Sequence, residues 1–347
     1  MSIVVLRTLI VGLAAWVAAF NRWCMTDPDD RAKLRRGALL LLPCLLLPVP
    51  LAVWGPSWID EVTWVAFSVV VILEVWRLSR QAIGFTTSRS RAVPVAGLRG
   101  RTRSTHALQV RSYEFPGAPR SMDGLVVAYL SDFHCGGRPS CEWYDKVWEV
   151  VRGIGPDMIL LGGDYVDRPE DVPLLERSLG GLSRLPSRLG VFAILGNHDE
   201  CAPIAIRETL RRSGVVMLED RWFTVRREDG RKFIVHGTQA PFQSGDDPVR
   251  GLPPGGAHLS LSHTPDNAPK LAKAGSRYIL AGHLHGGQIC LPLLGAVIAP
   301  SHHSRKWTYG NHQVGHANLV VTSGLGTTGV PLRLLCPPEI AVLRFHA

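Results

Sequence analysis

Apolar positions follow two regimes along the chain. In the first 76 residues they form long, nearly unbroken runs. Ile3–Phe20 is interrupted by Arg7 and Thr8, Gly37–Trp54 holds three prolines and no charge, and Val62–Trp76 carries Glu74. A spanning helix needs roughly 20 apolar residues, so this pattern predicts two or three membrane helices over residues 1–76. From about His106 the runs shorten and end in polar turns, as in "LVVAYLSDFH", "DMILLGGDYVD", "GVFAILGNHDE", "HLSLSHTPD" and "RYILAGHLHGG". These read as buried strands. Between the early ones, "WYDKVWEVVRGIG", "VPLLERSLGGLSRL" and "AIRETLRRSG" place apolar residues at helical spacing, the first and third with a glycine stop. Later strands follow one another without helices. The order predicts an α/β domain over residues 106–347, with a layered core of two sheets.

Charge adds a topology to this picture. The formal net charge is +9, and eight arginines with no acidic residue lie between Arg77 and Ser112, so residues 77–105 read as a basic linker. The loop Asn21–Arg36 carries five Lys/Arg, whereas the loop around Ile59–Asp60–Glu61 is acidic. Under the positive-inside rule, three spans would make this a multi-pass protein of the inner (cell) membrane with the large domain in the cytoplasm. The membrane is thus an expected partner. Nucleic acid is not, because the arginines lack interleaved aromatics for base stacking. The seven cysteines have no paired spacing and form neither a disulfide framework nor a CxxC zinc site.

Five strand-end turns carry the chemistry. Ligands of open α/β sheets sit outside the strand ends, so the fold would gather Asp132, His134, Asp164, Asn197, His198, His263, His283 and His285. Each motif alone has a plain structural explanation: a D-x-H or GGD turn is common, and Asn197 is a competent helix cap. Together they are too polar to be buried unpaired. The solution this predicts is metal, with two ions expected. Carboxylate, imidazole and amide donors suit Mn, with Fe or Zn as alternatives. Gly286 and Gly287 allow close backbone approach beside such ions. Cys135 reads as a small packing residue, and Arg333 as either a phosphate contact or a structural arginine.

The series D-x-H, G-D-x-x-D, G-N-H-D, H and G-H-x-H resembles the calcineurin-like metallophosphoesterase superfamily, over about residues 120–347. Within it, "GHLHGGQICLPLLG" and "GLGTTGVPLRLLCPPEIAVL" look like a bacterial branch of membrane-associated phosphodiesterases, which includes proteins similar to UDP-diacylglucosamine pyrophosphatases of lipid A synthesis. The resemblance implies a four-layer β-sandwich flanked by helices. It also implies hydrolysis of a phosphodiester or pyrophosphate bond by metal-activated hydroxide, here of a lipid-linked substrate such as UDP-diacylglucosamine. The alternatives are a phosphodiesterase or nucleotidase acting on soluble substrates and a non-enzymatic scaffold.

Carried over by motif, Asp132, His134 and His285 hold the first metal, Asp164 bridges, and Asn197, His263 and His283 hold the second. His198 donates a proton or hydrogen bond at the phosphate. Asp199, next in the chain, is expected to orient its imidazole, and Asp167 to support the site from behind the ligands. Purple acid phosphatases resemble this pattern but place a tyrosine three residues after the bridging aspartate. Here Asp167 stands at that position and Tyr165 is one residue on, which argues against a tyrosinate–iron site.

Overall fold

The computed structural model describes residues 3–20, 39–40, 44, 61–72, 90–94 and 108–347, apart from 137–139, 186, 242–244, 246 and 292–294. Two compact units emerge. The first comprises residues 1–83 and 289–306, and the second 84–288 and 307–347.

In the first unit a helix runs over Ile3–Ala19, and residues 61–72 are also helical. The Arg7 guanidinium is buried and lies 4.2 Å from the ring centroid of Trp64. Among the described residues, no helix is long and apolar enough to cross a membrane. Ile3–Ala19 has 17 residues, about 26 Å at 1.5 Å per residue, short of a hydrocarbon core of about 30 Å. The multi-pass inner-membrane arrangement and the cytoplasmic assignment drawn from it are therefore not supported. The apolar stretch Gly37–Trp54 falls almost wholly outside the described residues.

The chain forms fifteen strands among the described residues: β1 (Ser90–Pro94), β2 (Gln109–Pro116), β3 (Val126–Leu130), β4 (Met158–Leu161), β5 (Val191–Ala193), β6 (Val216–Met217), β7 (Arg221–Arg226), β8 (Lys232–Thr238), β9 (Leu259–Ser262), β10 (Tyr278–Ala281), β11 (Cys290–Leu291), β12 (Gly295–Ala296), β13 (Gly310–Val314), β14 (Ala317–Val321) and β15 (Glu339–His346). The short hairpin β11–β12 belongs to the first unit. The second unit holds a seven-stranded sheet of order β1-β2-β15-β3-β4-β5-β6 and a six-stranded sheet of order β13-β14-β10-β9-β8-β7. In each sheet four consecutive strands are parallel: β3-β4-β5-β6 in one and β14-β10-β9-β8 in the other.

Alternation along each strand decides which layer a residue joins. Val127 and Tyr129 of β3 point inward and meet Phe233, Val235, Leu259 and Leu280 of the opposite sheet. Ala128 and Leu130 point outward, beneath Val147, Trp148 and Val151 of the helix Cys141–Ile154. That helix buries residues at three- and four-residue spacing and stops at Gly155, whose φ of 62° suits glycine. On the far side, Leu271 of the helix Ala268–Lys273 covers Ile279 and Leu319. The result is four layers, helices outside two face-packed sheets, and the C-terminal ends of the parallel strands carry the polar turns singled out in the sequence.

One buried charge locks the edge of this sandwich. Glu339, at the start of β15, accepts hydrogen bonds from Arg111 Nε (3.0 Å), Tyr113 Oη (3.2 Å) and Tyr309 Oη (2.6 Å). Burial pushes its carboxyl up, against the lowering effect of these donors. Replacing Glu339 with Ala strands three donors, one of them a cation. It is expected to lower the free energy of unfolding by about 3–5 kcal/mol, read from urea denaturation at constant m-value. A loss under ~1 kcal/mol would show that the lock contributes little.

Candidate metal centre

The turns after β3, β4, β5, β9 and β10 converge. Asp132, His134 and His285 offer donor atoms within 4.8 Å of one another, and so do Asp164, His263 and His283. Between the two sets stands one oxygen: Asp164 Oδ2 lies 3.7 Å from His134 Nε2 and 3.0 Å from His263 Nε2. The other Asp164 oxygen accepts the His198 backbone N–H at 2.9 Å. His134 Nε2 and His285 Nε2 face each other at 3.0 Å, with Asp132 Oδ1 3.5 Å from the latter.

Backbone conformation aims these side chains. Asp132, His134, Asp164, His283 and His285 all have φ between 48° and 67°. Left-handed φ is uncommon outside glycine and costs roughly 1–3 kcal/mol per residue, so five instances at one site mark an arrangement that the surrounding fold imposes. Close approach also demands glycine between the turns. A Cβ on Gly196 would meet Asp164 Oδ1 at 2.2 Å, and one on Gly282 would meet Asp132 Oδ2 at 2.3 Å.

The donors fit divalent metal. His134 Nδ1 donates to Asp167 Oδ1 at 2.6 Å and His263 Nδ1 to the Gly162 carbonyl at 2.7 Å. In both rings this leaves Nε2 for the centre, the arrangement that ligating histidines use. Burial, joined by the charge of His263, lowers His283 to about 4, and burial with His134 holds His285 well below the ordinary imidazole range. Both are therefore neutral, as a ligand must be. Burial works against the charge of His263, but Asp164 raises it to about 9, so a metal there must displace a proton. Burial opposes ionisation of Asp164, but His263, His134 and His198 together hold it well below the usual carboxylate range. Asn197 Oδ1 is buried and receives no hydrogen bond, a costly state for an amide oxygen unless it has another partner.

His198 is in neither of these two sets, but with His134 and Asp167 it forms a third group of donor atoms within 4.8 Å of one another. Its side chain is 33% exposed, whereas those of His134, His263 and His285 are at most 4% exposed. Burial works against its charge, but the hydrogen bond to Asp167 and the charges of Asp164 and Asp167 raise it to about 9. Its Nδ1 lies 2.9 Å from Asp167 Oδ1, the same oxygen that takes the His134 proton. Asp199 is fully buried, and its carboxylate accepts the backbone N–H groups of Asp164 (2.8 Å), Tyr165 (2.7 Å) and Gly196 (2.8 Å). It straps the turn after β4 to the turn after β5.

Arg333 is also fully buried and meets backbone carbonyls, which puts it on the structural side of the two readings open in the sequence. Gln288, left unassigned by the sequence, fixes the neighbouring loop through Thr328 and the Val330 carbonyl. The only sequence cue to it is its place directly after Gly287. Cys135 is buried, and burial pushes its thiol up to about 12, which keeps it a protonated packing residue.

A site with two carboxylates, an amide and four imidazoles, ordered along a two-sheet sandwich, defines a metal-dependent phosphoester hydrolase. Residues 125–287 match the family model described as calcineurin-like phosphoesterase. The chain is 31% identical over 236 residues to the uncharacterized metallophosphoesterase YkuE of Bacillus subtilis, covering 65% of this chain and 80% of that protein. It is 33% identical over 200 residues to the phosphodiesterase YaeI of Escherichia coli, covering 54% and 70%. To the uncharacterized metallophosphoesterase YkoQ of Bacillus subtilis it is 26% identical, over 64% of this chain and 83% of that protein. The chain belongs to the calcineurin-like phosphoesterase family.

Proposed function

We propose that this chain is a di-metal phosphodiesterase acting on an amphiphilic, lipid-linked phosphodiester or pyrophosphate, UDP-diacylglucosamine being the specific candidate. The observation that carries the metal part is Asp164 Oδ2 standing between His134 and His263, which suits a bridging carboxylate. Asp132, His134 and His285 would hold one ion, Asn197, His263 and His283 the other, with Mn as the first candidate metal. When bound, such a pair supplies the positive charge that polarises a phosphoryl group and the acidity that makes water a nucleophile near neutral pH.

The chain's own residues then divide the remaining work. Asp167 occupies His198 Nδ1, so Nε2 is the nitrogen left to donate to a phosphoryl or leaving-group oxygen. Against the effect of burial, the hydrogen bond to Asp167 and the charges of Asp164 and Asp167 raise His198 above the ordinary imidazole range, which favours the protonated form that can donate. It is also more exposed than His134, His263 and His285, which suits a group that meets substrate.

Support for an amphiphilic substrate comes from the loop after β14. Val330, Leu332, Leu334 and Leu335 are exposed there, Leu335 to 60%. Their loop is no loose segment: Gln288, next to the metal-bearing turn, bonds the Val330 carbonyl and accepts from Thr328, and the Leu334 N–H bonds the Gln288 carbonyl. A run of aliphatic side chains held in water on a fixed support suits contact with an apolar ligand group.

The test compares two substrates on protein stripped with EDTA and reloaded with Mn. Bis(p-nitrophenyl) phosphate and UDP-diacylglucosamine are both expected to be hydrolysed, the lipid with the higher kcat/KM, and neither without metal. Turnover of the aryl diester alone would end the lipid-linked reading and favour soluble substrates. Full activity in EDTA would end the metal reading.

A further inference from the structure

We propose that Arg333 is the positioning residue of the first metal: it fastens the His285 turn to the loop Ser323–Gly326, so that Asp132, His134 and His285 converge. This inference rests on the di-metal reading above.

Arginine is seldom fully buried, yet Arg333 has no exposed surface. Its fork spans two loops. Nε and Nη2 donate to the Gly326 carbonyl at 3.0 and 2.6 Å, and Nη2 also to the Ser323 carbonyl at 2.7 Å. Nη1 donates to the carbonyls of His285 at 3.4 Å and Cys336 at 3.3 Å. The Cys336 thiol adds a second donor to the His285 carbonyl at 3.1 Å. His285 sits at φ 50°, so its ring stays aimed at the centre only while its peptide is held. These contacts hold it.

The second loop that Arg333 grips is itself part of the first donor set's support. Leu325 N donates to the Ser131 carbonyl at 3.0 Å and Gly326 N to the Asp132 carbonyl at 2.7 Å. A Cβ on Gly324 would strike the Asp132 Cβ at 2.7 Å, so this loop is packed directly on the first ligand. Arg333 therefore ties together the segments bearing Asp132 and His285, which come from different sheets. In the second donor set His263 is oriented by the Gly162 carbonyl and Asp164 by the His198 N–H. None of these Arg333 bonds reaches either residue, and the His283 N–H links the second set to the first by donating to Asp132 Oδ1 at 2.8 Å. The guanidinium spreads five N–H donors over a rigid planar fork; a lysine keeps the charge but offers three donors from one nitrogen and loses that geometry.

Two consequences separate positioning from bulk stability. Arg333→Gln should weaken one metal site and spare the other, whereas a general loss of packing weakens both together. Phe345→Leu supplies that comparison, because Phe345 is buried at the opposite end of β15 against Phe115 and Tyr278.

The experiment titrates Mn(II) into EDTA-stripped full-length protein, read by calorimetry and by electron paramagnetic resonance. Wild type is expected to bind two ions and show the spectrum of an exchange-coupled pair. R333Q is expected to bind one ion as tightly as wild type and the other roughly 10–100-fold more weakly, as for loss of a ligand's supporting contact, with the six-line spectrum of isolated Mn(II). R333K should show the same selective loss to a smaller degree, and it carries the test if R333Q does not fold. F345L should lower the melting temperature while keeping both ions and the coupled spectrum. Two ions at wild-type affinity in R333Q, or parallel weakening of both sites, would overturn the proposal. A wild type that binds a single ion would instead overturn the di-metal reading on which it stands.

Discussion

His198→Ala is expected to lower kcat roughly 10²–10⁴-fold and to leave the metal content unchanged. The argument is geometric. His198 belongs to neither of the two sets that flank Asp164 Oδ2; it groups with His134 and Asp167. Its ring is partly exposed, and among the described residues its side-chain ion pair is with Asp167 at 2.9 Å. Removing the ring takes away a donor poised at the substrate, while Asp164 keeps its hydrogen bond from the position 198 backbone N–H. Alanine supplies that N–H as well as histidine does. Metal analysis of the purified variant, together with steady-state kinetics on the aryl diester, reads both quantities from one preparation. Metal loss in proportion to activity loss would show that His198 is a ligand and not a donor to substrate.

Much of this site was legible before the fold. Each parallel strand announces itself as an apolar run, and its first polar residues must lie at the strand's C-terminal end. Asp132, His134, Asp164, Asn197, His263, His283 and His285 could therefore be collected from strand order alone. What could not be read is how one turn meets another. Sequence adjacency pointed to Asp199 as the partner of His198. The turn His198–Cys201 is a 3₁₀ helix, in which successive side chains diverge by about 120°. Asp199 thus points inward to three backbone N–H groups, and the carboxylate that reaches His198 is Asp167, from a different strand end. The left-handed φ values of five ligand candidates leave no trace in composition either, because they are imposed by neighbours distant in the chain.

The first 76 residues failed in an instructive way. Apolar content alone was read as span length, but length counts only where helix is continuous. Among the described residues, Ile3–Ala19 gives a helix of 17 residues with Arg7 buried against Trp64, and residues 61–72 are the other helical stretch of this region. Arg333 left two readings open in the sequence, a phosphate contact and a structural arginine. An arginine near a phosphate site invites a ligand role, because arginines are mostly exposed. Burial turned this one toward carbonyls instead.

Asp199→Ala should produce the largest loss of stability among changes near the site, roughly 3 kcal/mol or more. The figure follows from counting donors. Three backbone N–H groups, of Asp164, Tyr165 and Gly196, end on this one buried carboxylate, and each buried N–H left unsatisfied costs about 1–3 kcal/mol. Asp199→Asn should fall between wild type and alanine. Asn retains one accepting oxygen, but its NH₂ must face an N–H on the other side, a clash of donors that no rotation removes. The order wild type, D199N, D199A in urea midpoints of EDTA-stripped protein would support the strap. D199A within ~1 kcal/mol of wild type would refute it, since that is no more than one lost neutral hydrogen bond. The same strap sets the position of Asp164 between the two donor sets. Metal affinity should therefore fall in the same order as stability, although Asp199 contributes no ligand of its own.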